Sequence, residues 1–337
     1  MKNSCKSLTF FIGIDVSKLT LDVTVLSPSS STKKYKQIAN TLAGLKVLNS
    51  WLRKIDGFKY SYALFCLEHT GVYTRIVLSF LSDKSANIWL ESSLYIKKSL
   101  GLKRGKNDKI DSLRIAEYAY RFIDKAELYQ NNLPVITELK DLLTCRARLK
   151  KQLKINRVAI NELIKVDPVQ GEKIELLSMA AVRGIELSIK EVEKEIMDIV
   201  EQNKKLKEIY DLATSIPGVG PILTLKLMVY TKMFTKFKNN RQLACYCGVA
   251  PFEHSSGTSV RGKTGVSKFA NSDLKSTLHM AAISSVQHNP DLKAYYERKV
   301  KEGKNKMSAI NAVRNKLLYR IVAVIKRKTP YVNVYNV

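Results

Sequence analysis

The chain has 337 residues, 45% of them hydrophobic, and carries 57 Lys and Arg against 30 Asp and Glu, which gives a formal net charge of +27. That charge predicts a polyanionic partner, nucleic acid before an anionic membrane surface, and the apolar stretch LTFFIGIDV is much shorter than the roughly 20 residues that span a bilayer. Five scattered cysteines and four histidines offer no zinc-binding spacing, and no signal-peptide cleavage site is found, so we expect a cytoplasmic, nucleoid-associated protein.

The first region, residues 1–128, has the alternating pattern of an α/β domain. Residues 8–30 predict a β-hairpin with TFFIGIDV and LDVTVLS as its strands and SKLT as its turn. YSYALFCLEHTG (60–71) and ANIWLES predict two further strands, with a helix over YTRIVLSFLSDK between them. A helix that begins in KNDKIDSLRIAEY (106–118) closes the region.

Four acidic residues of this region stand where a lone carboxylate is unfavourable. Asp15 lies inside an apolar strand beside Gly13, and Glu68 ends the apolar strand ALFCLE, where a buried, unpaired carboxylate costs several kcal/mol. Asp108 and Asp111 lie three residues apart on one face of the predicted helix. Carboxylates that converge from two strands and a helix suit Mg²⁺, and two such ions can hold both the attacking and the leaving oxygen of a phosphoryl transfer.

On spacing alone, an alternative to a metal site and a competing metal ligand are both open. Asp15 and Glu68 can pair with lysines, while Asp108 and Asp111 favour a helix N-terminus. Asp22, on the second strand of the hairpin, competes as a ligand because the intervening turn leaves the direction of its side chain open.

Residues 129–210 predict two long antiparallel helices. Two series of residues follow helical spacing, first Leu139, Leu142, Arg146, Leu149 and Leu153, then Ile185, Val192, Ile196 and Ile199. The stretch VDPVQGEK between the two series contains both Pro and Gly and should end the first helix. We interpret this segment as a coiled-coil arm that joins protomers into a dimer or tetramer, with a plain spacer as the alternative.

The third region, residues 211–337, is predicted to be mostly helical and contains two candidate phosphate-binding motifs. SIPGVGPILTLKL resembles a helix-hairpin-helix turn, in which Gly218 and Gly220 present backbone N–H groups to a phosphate, or else is a plain helix start. HSSGTSVRGKTG (254–265) predicts a glycine-rich loop, whose serines are usually solvated turn residues. Its cations Arg261 and Lys263, together with Lys268, would hold a phosphate and stabilise developing charge.

Basic runs extend the predicted nucleic-acid surface. KKSLGLKRGK (97–106) stands beside the acid pair and contributes Lys103, Arg104 and Lys106, and KVKEGKNK (299–306) and KRK (326–328) follow late in the chain. The 16 tyrosines interleaved with these cations offer stacking surfaces for unpaired bases.

Four ordered motifs, IGIDVSKLTLDVTVL, LEHTGVY, GKNDKIDSLRIAEYA and GVAPFEHSSGTSVRGKTGVSKFANSDLKSTLHMAA, resemble the DEDD insertion-sequence transposases, the group that includes the bridge-RNA-guided recombinases. The resemblance implies an N-terminal ribonuclease-H-like domain of the RuvC type and a C-terminal transposase domain. It also implies that Asp15, Glu68, Asp108 and Asp111 are the Mg²⁺ ligands, and that donor DNA, target DNA and a non-coding guide RNA are the partners.

The same resemblance implies that the serine just before the glycine of the last motif is the nucleophile that becomes joined to DNA. By position this is Ser256, with the adjacent Ser255 as the alternative and His254 as a candidate base. A hydroxyl is a weak nucleophile until a base or a metal activates it. Together with the four acids, Ser256 completes the predicted catalytic set.

Three departures from the family pattern bear on local geometry rather than on the ligands. The family usually has Lys-Thr-Asp where this chain has Lys106-Asn107-Asp108, and it commonly has Asn-Pro where this chain has Glu91-Ser92-Ser93. A glycine of the late Lys-x-Gly pattern is replaced by Ala270.

The sequence therefore predicts a DNA recombinase that cuts and exchanges strands through a covalent phosphoserine. The alternative is a metal-dependent nuclease or junction resolvase that uses water as its nucleophile. A third class, a non-catalytic nucleic-acid-binding protein, is disfavoured because carboxylates that face DNA repel it unless a metal intervenes.

Overall fold

The computed structural model describes residues 8–99, 107–130, 133–256, 260–267 and 269–332. The chain divides into two compact units, Met1–Asn131 and Asn132–Val337. The long helices of the predicted arm belong to the second unit. The division into three domains at residues 128 and 210 stays a prediction.

The first unit is a five-stranded mixed sheet with helices on both faces. Its elements are β1 (Phe10–Val16), β2 (Thr20–Ser27), β3 (Thr32–Ala39), α1 (Leu42–Arg53), β4 (Ala63–Glu68), α2 (Arg75–Asp83), β5 (Asn87–Glu91), α3 (Ser93–Ser99) and α4 (Asp108–Arg121). The strand order is β3-β2-β1-β4-β5, with β1, β2 and β3 antiparallel and β1, β4 and β5 parallel. The α/β character predicted for this region is confirmed.

The alternation of side chains along β1 fixes what packs on each face of the sheet. Ile12 and Ile14 belong to the core beneath α1 and α2, whereas Phe11 belongs to the opposite core, with Ile115 and Ala119 of α4. Because both faces are covered, β1 is apolar almost throughout. Asp15 stands four positions after Phe11 on β1, so its side chain projects from the same face of the sheet, the face that α4 covers.

The second unit is mostly helical and contains one two-stranded sheet in its described part. Its elements are α5 (Pro134–Val166), α6 (Pro168–Gln202), α7 (Lys204–Thr214), α8 (Pro221–Tyr230), α9 (Asn240–Tyr246), β6 (Pro251–Ser256), β7 (Val260–Val266), α10 (Ser272–His288), α11 (Pro290–Lys301) and α12 (Lys306–Arg327). Residues from α7 to α12 share one core.

Helices α5 and α6 form an antiparallel hairpin, joined at Asp167. Arg146 pairs with Glu193 at 2.7 Å near the base, and Arg157 pairs with Glu186 further along, so α5 and α6 run in opposite directions. The side chain of Asp167 accepts a hydrogen bond from the Gln170 N–H and caps α6. The predicted helical pair is therefore observed, while the finer prediction of a coiled coil stays a prediction.

The prediction of a glycine-rich loop over residues 254–265 was wrong for most of that segment. Strands β6 and β7 pair as an antiparallel hairpin with an irregularity between Phe252 and His254. The mixed, polar strands have no clean apolar alternation, which is why the pattern indicated a loop. Strand β3 and helix α1 were also missed: β3 is an edge strand whose lysines face solvent, and such charges blunt an edge against further pairing.

No helix in the described part of the chain is long and apolar enough to span a bilayer.

Candidate active site

Strand register places a row of polar side chains across the sheet of the first unit. The parallel β1–β4 pairing sets Ile14 beside Leu67, so one step further it sets Asp15 beside Glu68 at the ends of the two strands. The antiparallel β1–β2 pairing sets Asp15 opposite Asp22, and the β4–β5 pairing sets Glu68 beside Glu91. Paired residues in a sheet project from the same face. The carboxylates of Asp22, Asp15, Glu68 and Glu91 therefore form a row across one face of the sheet, near one end of its strands.

Helix α4 lies directly over this face because Gly13 has no side chain. A Cβ atom built at Gly13 would come within 2.1 Å of the Ser112 carbonyl oxygen and 2.3 Å of the Ala116 nitrogen. A buried hydrogen bond of 2.8 Å joins the hydroxyls of Thr24 and Ser112 and ties α4 to β2. The absence of a side chain at Gly13 therefore allows α4 to pack closely against β1, beside Asp15.

The N-terminus of α4 brings the remaining two acids. The Asn107 side chain accepts a hydrogen bond from the Lys109 N–H at 3.0 Å and caps the helix. Asp108 is exposed and Asp111 half-buried in the first turn, where a carboxylate is favoured by the helix dipole. Asn107, which stands where the family usually has Thr, thus keeps the capping function.

Three of the predicted acids, Glu68, Asp108 and Asp111, lie near the half-buried carboxyl of the fourth, Asp15. Burial, and then the charges of Glu68, Asp108 and Asp111, raise the pKa of Asp15 from 3.8 to about 6, with Asp22 adding less. The three carboxylates are thus near enough to Asp15 for their charges to act on it. That these four acids form a metal site stays a prediction.

The lysine-pairing alternative finds no support in the described residues. Asp111 forms an ion pair of 2.8 Å with Arg114, but Asp15 and Glu68 have no Lys, Arg or His nitrogen within 4 Å among the described side chains. The two strand carboxylates therefore lack a cationic neighbour there. A divalent cation would relieve their repulsion.

The donor set fits a hard divalent cation. All four groups are carboxylates, the ligand type that Mg²⁺ prefers, and neither cysteine nor histidine is among them. In the part of the chain that the structure describes, no three Asp, Glu, His or Cys side chains are already grouped tightly enough to ligate one ion. Asp15 and Glu68 stand near the ends of β1 and β4, Asp108 and Asp111 stand on α4, and a cation would have to draw the four carboxylates together.

Asp22, the competing acid, is engaged within the sheet. It is 2% exposed and accepts hydrogen bonds from the Tyr35 hydroxyl and, at 3.1 Å, from Gln37. Its two donors satisfy the charge without a metal. Sequence reasoning missed Glu91, which accepts hydrogen bonds from the Ser92 N–H at 2.7 Å and from the Tyr118 hydroxyl at 3.2 Å. The signal was available, because Glu91 ends the apolar run NIWL as Glu68 ends ALFCL.

The candidate nucleophile belongs to the second unit. Ser256 is the last residue of β6, and its backbone is paired with that of Val260, while Ser255 is paired with Arg261. Residues 257–259 and the side chains of His254, Ser255 and Ser256 lie outside the described residues. The role of Ser256 therefore stays a prediction, and the structure places only its backbone, at the end of β6.

The predicted phosphate-binding cations cannot be placed by their side chains. Lys103, Arg104, Lys106 and Lys268 lie outside the described residues, as do the side chains of Arg261 and Lys263 on β7. Their roles stay predictions.

The PGVG segment forms the turn between α7 and α8. Gly218 has a φ of +88° and packs against α10 so closely that a Cβ would come within 2.1 Å of the Ser285 hydroxyl. Gly220 is the N-cap of α8, and a Cβ there would meet nothing within 4 Å. Packing alone thus explains Gly218, while Gly220 stands at an open helix N-terminus, where phosphate binding stays a prediction.

Two family models match this chain in order. The DEDD transposase model of the IS110 type matches residues 12–166, and the model of the transposase IS116/IS110/IS902 family matches residues 210–297. The first range contains all four acids and the second contains Ser256. The motifs that carried the resemblance therefore fall inside the matched ranges.

Full-length relatives agree with the family models. A pilin gene-inverting protein of Moraxella bovis is 27% identical over 326 residues, which cover 95% of this chain and 97% of the relative. The transposase for insertion sequence element IS1111A of Coxiella burnetii is 23% identical over 88% of this chain and 83% of its own length. An IS110 protein of Streptomyces coelicolor is 30% identical over a shorter stretch, 35% of this chain and 29% of its own length.

Proposed function

Because the chain belongs to the IS116/IS110/IS902 family of transposases and is thereby a DNA recombinase, we propose that it exchanges DNA strands by metal-dependent cleavage through a covalent phosphoserine. The observation that carries this proposal is that Glu68 on β4 and the start of α4, with Asp108 and Asp111, lie near the half-buried carboxyl of Asp15. The order β3-β2-β1-β4-β5, with three antiparallel strands continued by two parallel ones, supports a ribonuclease-H-like domain of the RuvC type.

In this proposal Asp15, Glu68, Asp108 and Asp111 hold Mg²⁺. A bound divalent cation would supply charge stabilisation for the reacting phosphate. The strand carboxylates are set by the rigid central strands β1 and β4, and the other two are set by the capped start of α4. Gly13 keeps α4 against β1, so the four acids are positioned by packing rather than by a mobile loop.

Ser256 is the proposed nucleophile. Its Oγ attacks phosphorus and gives its proton to water, so that an Oγ–P bond forms. The bond from phosphorus to the leaving deoxyribose oxygen breaks, and that oxygen takes up a proton from water. The phosphoserine ester retains the phosphodiester bond energy, so a hydroxyl of a new strand can reverse the step without ATP. The Moraxella relatives, which are named as gene-inverting proteins, support this class of reaction, since inverting a segment requires cutting and rejoining.

The excess of positive charge supports large nucleic-acid partners. A net charge of +27 matches donor and target DNA together with a non-coding guide RNA. The α5–α6 hairpin supports a homo-oligomer, dimer or tetramer, because apolar side chains near its tip are solvent-exposed, namely Ile155, Val166, Val169, Leu176 and Leu177. Burying them against the same arm of another copy would build the coiled coil.

Alanine substitution of each acid tests the proposal. Asp15→Ala, Glu68→Ala, Asp108→Ala and Asp111→Ala should each abolish strand cleavage in a labelled-DNA assay with Mg²⁺, with circular dichroism unchanged. Asp124→Ala, at an exposed acid of the same unit, is the matched control. Full cleavage by the Asp15 and Asp111 variants would contradict the proposal.

A nuclease or junction resolvase with water as its nucleophile is the second candidate function. The observation that favours it is that all four acids lie in the first unit, so the proposed metal site is complete without the serine hairpin. A protein–DNA adduct distinguishes the two functions, because only the recombinase forms one.

A further inference from the structure

A cavity lined by basic side chains lies in the second, mostly helical unit. This cavity of about 890 Å³ opens between helices α11 and α12 and the base of the β6–β7 hairpin, where Pro251 and Val266 line it. The volume falls in the range of roughly 300–1,000 Å³ that ligand pockets occupy. Its charged and aromatic lining comprises Lys275, Lys304, Arg314, Lys316, Tyr295 and Tyr319. No acidic side chain lines it among the described residues.

Arg314 is the unusual member of this lining because it is buried without an acidic partner. It is 5% exposed, and no carboxylate of the described residues pairs with it. Its Nε–H has no hydrogen-bond partner among the described residues, and its Nη2 atom lies 3.0 Å from the Nδ1 atom of His279. Burial, and then the charge of Arg314, lower the pKa of His279, so this neighbour is neutral at pH 7.

A buried guanidinium without an acidic partner is unfavourable, and an anion from outside the chain would relieve this cost. Arginine is also the side chain best suited to phosphate, because its planar donors match two phosphate oxygens. The buried Oδ1 atom of the neighbouring Asn315 likewise lacks a donor among the described residues. Arg314 and Asn315 both line the cavity, so its wall contains one donor and one acceptor that lack partners among the described residues.

The aromatic lining provides a stacking surface. Tyr319 is 36% exposed at the cavity, so its ring is accessible to a base. Tyr295 is already covered, because the Lys316 ammonium lies 4.4 Å from its ring centroid. Lys316 is thereby held at the cavity as a second cation beside Arg314.

We infer that this cavity binds one unpaired nucleotide of a nucleic-acid strand, with its phosphate on Arg314, its base on Tyr319 and a donor of the nucleotide on Asn315. An intact duplex would present phosphates but no free base face or edge to a recess of this kind. The inference rests on the proposed function only for the identity of the strand.

The place of the cavity in the fold connects it to the serine hairpin. The Asn311 amide donates a hydrogen bond of 2.9 Å to the Val249 carbonyl, which fixes α12 to the turn that leads into β6. Ser256 follows Pro251 by five residues, which is at most about 17 Å along an extended strand. A DNA strand attacked at Ser256 would therefore pass the cavity within a few nucleotides.

Binding of short labelled oligonucleotides to the full chain tests the inference without requiring cleavage. Fluorescence anisotropy at one fixed salt concentration would compare single-stranded DNA, single-stranded RNA and a blunt duplex of the same sequence. Tyr319→Ala should weaken single-strand binding by roughly five- to hundredfold, as loss of one stacked base does. Tyr319→Phe should restore binding, because the ring face remains.

Arg314→Leu separates a binding role from a structural one. Removing an unpaired buried charge should leave the Tm unchanged or raise it, whereas single-strand affinity should fall at least tenfold. Lys293→Ala, at an exposed lysine of α11 outside the cavity lining, should change affinity less than twofold. If Arg314→Leu fails to fold, the comparison of Tyr319→Ala with Tyr319→Phe tests the inference in its place.

Tighter binding of single-stranded DNA than of RNA would identify the cleaved DNA strand as the occupant of the cavity. Tighter binding of RNA would identify the guide RNA as the occupant. Either result supports the inference. Equal affinity for the blunt duplex, with Tyr319→Ala and Arg314→Leu both binding as wild type does, would overturn it. Loss of cleavage in the acid variants with intact single-strand binding would separate the two sites.

Discussion

Replacing Asp15 by Asn should stabilise the protein at neutral pH while abolishing its cleavage of DNA. Burial and four neighbouring carboxylates raise the pKa of Asp15 from 3.8 to about 6. A group whose pKa is raised on folding prefers its neutral form in the native state, so the ionised carboxylate destabilises that state. Asparagine keeps the shape and removes the charge.

The magnitude follows from the size of the shift. About two pKa units correspond to roughly 3 kcal/mol at most. Solvent screens a half-buried carboxyl, so we expect Asp15→Asn to gain about 1–2 kcal/mol and to raise the Tm by roughly 3–8 °C. The gain should be complete above about pH 6, shrink as the pH falls through the native pKa, and vanish below 3.8, where Asp15 is neutral in both states.

Thermal unfolding across pH 4 to 8, with and without Mg²⁺, is the assay. Mg²⁺ should raise the Tm of the wild type, because an ion that binds only the native state stabilises it, and should leave Asp15→Asn nearly unchanged. Asp56→Asn, at an exposed acid of the same unit, is the control and should shift neither the pH profile nor the response to Mg²⁺. A lower Tm for Asp15→Asn at pH 8, or a gain that does not depend on pH, would refute the argument.

Three further predictions concern the nucleophile, the charge and the packing of α4. Ser256→Ala should bind nucleic acid as wild type does but form no protease-sensitive adduct on a denaturing gel, whereas Ser255→Ala should form it; the opposite pattern would move the nucleophile to Ser255. Purified protein should carry nuclease-sensitive RNA whose affinity falls by orders of magnitude between about 50 and 200 mM salt, and a salt-independent affinity would count against a phosphate-backbone interface. Gly13→Ala should destabilise the protein by about 1–3 kcal/mol or more in urea unfolding, because its Cβ would overlap the Ser112 carbonyl. Gly184→Ala, in open space on α6, should instead stabilise by about 1 kcal/mol, and equal effects of the two would contradict the close approach of α4.

The parts of the fold with strong apolar patterning could be predicted from the sequence. The central strands and α4 follow from runs such as FFIGIDV, since burial on both faces requires apolar side chains and leaves Asp15 conspicuous. Strand β3, with Lys33, Lys34 and Lys36, could not be predicted by the same rule, because an edge strand that faces solvent does not have to be apolar. The serine hairpin was mistaken for a loop for a related reason, since the polar sequences of β6 and β7 show no apolar alternation.

The sequence was enough to predict which acids belong to the candidate site, but not how their side chains are arranged. Asp15 and Glu68 are detectable because each interrupts or ends an apolar strand, and Glu91 could have been found by the same criterion. That Asp22 is engaged by Tyr35 and Gln37 depends on strand register, which no local pattern encodes. The buried Arg314 is a feature of tertiary packing, because in the sequence it is one of many basic residues.

Mass spectrometry of the protein trapped on its DNA substrate tests the central claim most directly. Wild-type protein incubated with Mg²⁺ and labelled DNA, then digested with protease and nuclease, should yield a β6–β7 peptide that carries a nucleotide on Ser256. The Asp15→Asn protein, which lacks one of the four acids, should yield none under the same conditions. Free cut ends from the wild type, with no nucleotide attached to any serine of the hairpin, would show that water is the nucleophile and would contradict the proposed recombinase mechanism.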